Sequence, residues 1–206
     1  MSVPWRSIFE NDGPVEVEIG PGTGTFFLHA ARRTPHVNFF GIERSHSRGA
    51  ALARVVAAQG WRNARVLTAD AACVIEHLVP TASVRAYHLY FPDPWWKRRH
   101  HRRRLLTDAL AAALARTLVP GGRLHLATDV PGVFERALRT LDTVPAFVRV
   151  AGIPSPRTIA TVFERKGLHR GARIHEATFE NAGMAHWSRA VQVSSAAPMT
   201  PAESPS

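Results

Sequence analysis

Val15-Glu16-Val17-Glu18-Ile19-Gly20-Pro21-Gly22-Thr23-Gly24 is the stretch that decides the fold of this chain. Residues 15–19 read as a strand, and residues 20–24 as a turn with glycine at every second position. Glycine permits positive φ angles and a close backbone approach, both of which a bound cofactor needs. The spacing is G-x-G-x-G, not the G-x-G-x-x-G of dinucleotide oxidoreductases. An acid, Glu18, stands immediately before the turn.

Outward from that turn, strands and helices alternate. A helix is expected over residues 25–33, with Phe26, Phe27, Ala30 and Ala31 on one face. Residues 37–42 are a largely apolar run that suits a buried parallel strand. An Ala-rich helix over 47–58 is closed by Gly60. A third strand over 66–69, a short helix over 71–78 and a fourth strand over 84–91 follow. Leu106, Leu110, Ala113 and Leu114 share one face of a further helix, which Pro120-Gly121-Gly122 should stop. Strands are then expected over 123–128, 147–150 and 175–179, with a helix over 133–141. This alternation predicts an α/β fold, a doubly wound, mostly parallel sheet of seven strands. Residues 1–14 read as a short polar lead-in, 15–193 as one domain, and 194–206 as a disordered tail rich in Ser, Ala and Pro.

In such sheets ligands sit outside the carboxyl ends of the strands. The residues there are Glu18, Glu43, Asp70, Asp93 and Asp129, all acidic. A carboxylate before the glycine turn disfavours a pyrophosphate. It suits S-adenosylmethionine (SAM), which carries a sulfonium and an ammonium group. Glu43 can accept ribose hydroxyls and Asp70 an adenine amino group.

Composition narrows the partner. The chain has 206 residues, 45% hydrophobic and 20% charged, with a formal net charge of +10. Six of the basic residues fall within residues 97–104 (Lys97, Arg98, Arg99, Arg102, Arg103 and Arg104). Charge so concentrated is the footprint of a polyanion, and these side chains are expected to hold RNA phosphates. Just before them lies Phe91-Pro92-Asp93-Pro94-Trp95. The two prolines restrict the backbone on either side of Asp93 and pre-position its carboxylate, while Trp95 and Trp96 offer stacking surfaces for a base. Cys73 is the single cysteine, so neither an internal disulfide nor a thiolate metal site is expected, and no metal is called for. No signal peptide or membrane span is read, and a cytoplasmic setting is the default expectation.

Taken together, these residues resemble the bacterial tRNA (guanine(46)-N7)-methyltransferases. The resemblance rests on the segment from Glu18 to Gly24, Gly41-Ile42-Glu43, Asp70-Ala71, Phe91-Pro92-Asp93-Pro94-Trp95, Lys97 and the Arg/His run. It extends through Ala127-Thr128-Asp129 to Thr161-Val162-Phe163-Glu164 and Lys166. It implies a Rossmann-like class I SAM-dependent methyltransferase fold with tRNA as substrate. It further implies a SAM site lined by Glu18, Glu43, Asp70 and Asp93 and shaped by Gly20, Gly22 and Gly24. By the same resemblance Asp93 would be the catalytic acid, and Lys97, Asp129, Thr161, Phe163 and Glu164 would bind the guanosine and its surroundings. The competing readings are a SAM enzyme acting on another RNA or a small molecule, and an RNA-binding relative without catalysis.

Overall fold

The computed structural model describes residues 2–92, 106–153, 156 and 171–183. Within them the strands are β1 Val15–Ile19, β2 Asn38–Glu43, β3 Ala64–Thr68, β4 Val84–Tyr90, β5 Leu118–Thr128, β6 Phe147–Val150 and β7 His175–Asn181. The helices are α1 Trp5–Phe9, α2 Thr25–Arg33, α3 His46–Gln59, α4 Ala71–His77, α5 Asp108–Thr117 and α6 Pro131–Asp142. The strands form one sheet in the order β3-β2-β1-β4-β5-β7-β6. β1 to β5 pair in parallel, and β7 runs antiparallel to both β5 and β6. The expected doubly wound, mostly parallel sheet is therefore the one observed.

Helices cover both faces, which is why β1 and β2 are buried along their whole length. On one face Val15, Val17 and Ile19 join Tyr87, Leu89, Leu124 and Leu126 against buried residues of α4, α5 and α6. On the other, Phe27 and Ala31 of α2 and Leu52 and Val56 of α3 pack against Phe39 and Ala64. Each fully buried Leu or Phe in these clusters contributes about 1.5–3 kcal/mol by leaving water. The sequence runs outward from β1 in one direction to β2 and β3, then crosses back to β4. The strand order thus reverses between β1 and β4, opening a crevice above their carboxyl ends.

Two segments depart from the sequence reading. The polar lead-in contains a helix, α1, whose Trp5 and Phe9 share one face four residues apart. Trp5 packs edge-on to Phe40 at 5.2 Å, and its indole N–H donates to Ser83 Oγ at 3.0 Å. Two aromatic anchors outweigh an otherwise polar composition. Pro120-Gly121-Gly122 does not end α5, which stops at Thr117. It forms an irregularity inside β5, where Val84 faces Leu118 but Ala86 already faces Arg123. Gly122 is needed there because a Cβ would meet the Val119 carbonyl oxygen at 2.8 Å. The expected tail, residues 194–206, lies outside the described residues.

Buried amides tie the connections to the sheet. Asn63 Nδ2 donates to the carbonyls of Ala31 and Val37, and Asn181 Nδ2 to those of Ala115 and Leu118. Among the described residues no helix is long and apolar enough to cross a membrane.

Candidate cofactor site at the strand crossover

The glycine turn is built as its spacing predicts. Gly20, Gly22 and Gly24 all have positive φ, at 72°, 58° and 79°. At Gly24 a Cβ would stand 2.3 Å from Leu52 Cδ1, so only glycine lets α2 start this close to α3. At Gly20 a Cβ would meet nothing within 4 Å. That side of the turn is open space, where a ligand can approach the backbone.

Glu18 lies one residue before the end of β1 and is 4% exposed. Its Oε2 is buried and has no hydrogen-bond partner among the described residues. Burial first, then the charge of Glu43, push its carboxyl up to about 8, against the pull of the Phe27 backbone N–H. Phe27 sits in the first turn of α2, whose N-cap Gly24 has no side chain to cap it. Glu18 therefore supplies a hydrogen-bond acceptor at that helix N-terminus from the neighbouring strand. A buried acid with a spare oxygen is costly unless something cationic or hydrogen-bonding completes it.

Glu43 closes β2 and is also buried. Its Oε2 accepts the Gly22 backbone N–H at 2.9 Å, and its Oε1 accepts that of Ser45 at 2.8 Å. Arg48 approaches Oε1 at 3.4 Å. Oε2 keeps a second lone pair, so the side chain both braces the glycine turn and retains acceptor capacity. Asp70 stands beyond the end of β3 and is exposed. It is the N-cap of α4, with its side chain accepting the backbone N–H groups of Ala72 and Cys73. Oδ1 is committed to that cap, and Oδ2 lies 4.0 Å from Arg44. Asp70 thus carries a structural duty that the spacing did not reveal, although Asp-Ala-Ala before a helical run is an N-cap signal. Asp129 directly follows β5 and is half-buried.

The parallel register sets Glu18 opposite His88 on β4, so the carboxyl end of β4 opens beside the glycine turn. At that end Phe91 has φ 50°, in the left-handed region that non-glycine residues rarely occupy. Its N–H donates to the Ala127 carbonyl at 2.7 Å. Asp93, Lys97, Arg98, Arg99, Arg102, Arg103, Arg104, Thr161, Phe163 and Glu164 lie outside the described residues.

One buried polar group was not foreseen. Glu16, also on β1, accepts His88 Nε2–H at 2.8 Å, and Arg85 donates to its Oε1. His88 Nδ1 is 3.0 Å from the Tyr90 hydroxyl. Burial pushes the Glu16 carboxyl up, but the hydrogen bonds and charges of His88 and Arg85 outweigh it and bring it down to about 2. His88 stacks on His125, whose imidazole is pushed down to about 3, chiefly by burial and then by the charge of His88. The available signal was a Glu and a His at alternate positions in runs otherwise apolar enough to be buried strands.

A sheet in this order, entered through a glycine turn with buried acids at its crossover, defines the class I SAM-dependent methyltransferases. The aminoglycoside resistance methyltransferase NpmB1 shares the fold at 16% identity and a TM-score of 0.59, covering 86% of this chain and 91% of its own. TrmN from Thermus thermophilus does so at 20% identity and a TM-score of 0.55, over 82% of this chain and 44% of its own. Residues 12–177 match the family model described as "Putative methyltransferase". The tRNA (guanine-N(7)-)-methyltransferase of Burkholderia cenocepacia (strain HI2424) is 38% identical over 85% of this chain and 70% of its own length. That of Halorhodospira halophila is 36% identical over 85% of this chain and 81% of its own. The chain belongs to the tRNA (guanine-N(7)-)-methyltransferase family.

SAM is the cofactor of this class, and the residues present fit it. The spare Glu18 oxygen answers a cation, the open side of Gly20 leaves room for a ligand against the backbone, and Glu43 keeps acceptor capacity beside them.

Proposed function

We propose that this chain transfers a methyl group from SAM to N7 of a guanine in tRNA, at position 46 in the variable loop, using the crossover crevice between β1 and β4. The observation that carries this reading is the buried Glu18 oxygen, without a partner among the described residues, beside a glycine turn braced by Glu43. Glu18 would take the ammonium group of SAM, Glu43 its ribose hydroxyls, and Asp70 its adenine amino group through the oxygen not used in capping α4. Gly20, Gly22 and Gly24 would shape the wall on which it rests.

When bound, SAM supplies an electrophilic methyl carbon on a sulfonium, so the reaction forms an N7–C bond and breaks an S–C bond. Guanine N7 is an acceptor with an exposed lone pair and needs no deprotonation before attack. The protein's work is therefore alignment, holding N7 about 3–3.5 Å from the methyl carbon and in line with the leaving sulfur. Asp93 would accept hydrogen bonds from guanine N1–H and the 2-amino group, which adenine cannot offer on that edge. Asp129 and Glu164 would assist, with Lys97, Thr161 and Phe163 fixing the nucleotide around them. As the base gains positive charge, the surrounding carboxylates favour the transition state over the ground state.

The direct test is incubation with labelled SAM and unmodified tRNA, followed by mapping of the label. N7-methylguanosine in the variable loop is expected; label confined to another RNA or to small molecules would overturn the assignment. Arg98, Arg99, Arg102, Arg103 and Arg104 are assigned to phosphate contact. Replacing Arg102, Arg103 and Arg104 together by Ala is expected to raise KM for tRNA. It should also reduce the slope of log affinity against log salt by roughly two, since about 0.7–0.9 of slope goes with each phosphate neutralised. An unchanged slope would place the run away from the tRNA.

A further inference from the structure

The hydrogen-bonded chain from Glu16 through His88 to Tyr90 is used neither by the cofactor site nor by the contacts assigned to guanine. Its polar atoms are nonetheless buried in the sheet: Glu16 is 8% exposed, His88 1% and Tyr90 6%. Burying an ionised carboxylate and an imidazole at this depth costs free energy unless every polar atom is matched. A pair of apolar side chains would fill the same space more cheaply. The arrangement therefore calls for a reason beyond packing.

The geometry points to what it does. Glu16 is ionised and acceptor-only, so His88 Nε2 must carry a proton toward it. Its other ring nitrogen, Nδ1, lies 3.0 Å from the Tyr90 hydroxyl, which can either donate or accept, so the bond links the two side chains. His88 itself cannot swing. Phe26 packs at 4.6 Å on one side, and His125 stacks at 5.4 Å with its plane only 9° away. His125 is held in turn through Nδ1 to Thr178 Oγ1 at 3.2 Å. Phe26 also meets the Tyr90 ring edge-on at 4.9 Å. Tyr90 is the last residue of β4. The next residue, Phe91, takes the left-handed conformation, anchored by its N–H on Ala127, and Pro92 leads to Asp93.

We propose that Glu16 and His88 are positioning residues for methyl transfer, acting through Tyr90 to fix the end of β4 that leads in sequence to Asp93. The proposal rests on the reading of Asp93 as the guanine-binding acid. Its physical logic is that a reacting constellation must be held to about 0.5 Å, and that a misplacement of about 1 Å can cost 10²-fold in rate. A left-handed residue such as Phe91 directly after β4 stores strain and needs both flanks held for its direction to be unique. The Ala127 carbonyl holds one side, and the His88–Tyr90 bond holds the other.

Tyr90→Phe is the primary test, because it removes one hydroxyl and keeps the ring against Phe26. Its kcat is expected to fall about 10–30-fold, while the Kd for SAM and KM for tRNA stay within about twofold. His88→Leu should lower kcat by a similar factor, and adding it to Tyr90→Phe should cost little further rate, since both break one chain. His88→Asn returns a hydrogen-bonding group near the Nδ1 position and should recover much of the kcat lost in His88→Leu. A purely structural role would instead lower the melting temperature and leave kcat unchanged. Tyr90→Phe with wild-type kcat, or His88→Asn no faster than His88→Leu, would overturn the proposal. Asp93→Ala separates the two readings. An inactive Asp93 variant beside a fully active Tyr90→Phe removes the positioning role alone, whereas an active Asp93 variant removes the reading on which it rests.

Discussion

Asp93→Ala is expected to abolish N7-methylation, with kcat down by about 10³-fold or more, while the Kd for SAM rises only a few-fold. Two charge-assisted hydrogen bonds to guanine are lost, each worth about 1.5–3 kcal/mol, and every 1.36 kcal/mol of transition-state stabilisation is tenfold in rate. The cofactor keeps Glu18, Glu43 and the glycine turn, so its affinity moves much less. Asp93→Asn should also be severely impaired, because an amide presents only one acceptor to two guanine donors. Single-turnover methylation of unmodified tRNA, measured beside calorimetric SAM binding, separates the two quantities. Turnover within tenfold of wild type in the Ala variant would remove Asp93 from the reaction.

Glu18→Gln is the second large effect, and it has opposite signs in the two states of the protein. With SAM, the loss of a buried carboxylate facing a cation should weaken binding by roughly 30–100-fold, about 2–3 kcal/mol. Without SAM, the same substitution should stabilise the fold at neutral and alkaline pH. The Glu18 carboxyl is raised from 4.5 to about 8 in the folded chain, so the folded state holds its proton more tightly than the unfolded state does. Its contribution is complete below pH 4.5 and is lost as pH rises through 8. At pH 8 the apo wild type must therefore take up a proton on folding or bury a charge, a cost that Gln avoids and that amounts to about 2–4 kcal/mol. For a chain of this size that is roughly 5–10 °C in melting temperature. Thermal melts of both proteins between pH 4.5 and 8.5, without ligand, should converge at the acid end and diverge toward the alkaline end. Parallel melting curves across that range would mean that Glu18 does not hold its proton, and the cation-seeking role drawn from its spare oxygen would fail.

Much of the cofactor half was legible in the sequence. The order of strands and helices, the glycine turn and the acids near successive strand ends are all local properties. Backbone φ preference, apolar periodicity and the position of a residue relative to a turn depend on immediate neighbours, and so survive in a one-dimensional reading. The departures came where distant contacts decide. Trp5 and Phe9 form a helix because Phe40 and Ser83 await them. Pro120-Gly121-Gly122 becomes a bulge because β4 offers a partner on both sides of it. Asp70 looked like a free strand-end acid, yet one of its oxygens is spent on the start of α4.

The chain alone determined that a carboxylate, Glu18, would stand before a glycine turn in a doubly wound sheet, since five consecutive strand residues and three glycines settle that locally. Only the tertiary structure decided that this carboxylate would be buried, with one oxygen unpartnered among the described residues. It also decided that Glu16, 72 residues away from His88, would reach across the sheet to it and through it to Tyr90. The register between β1 and β4 sets those meetings, and register is fixed by how two strands pack under their shared helices. No single stretch of sequence contains that information.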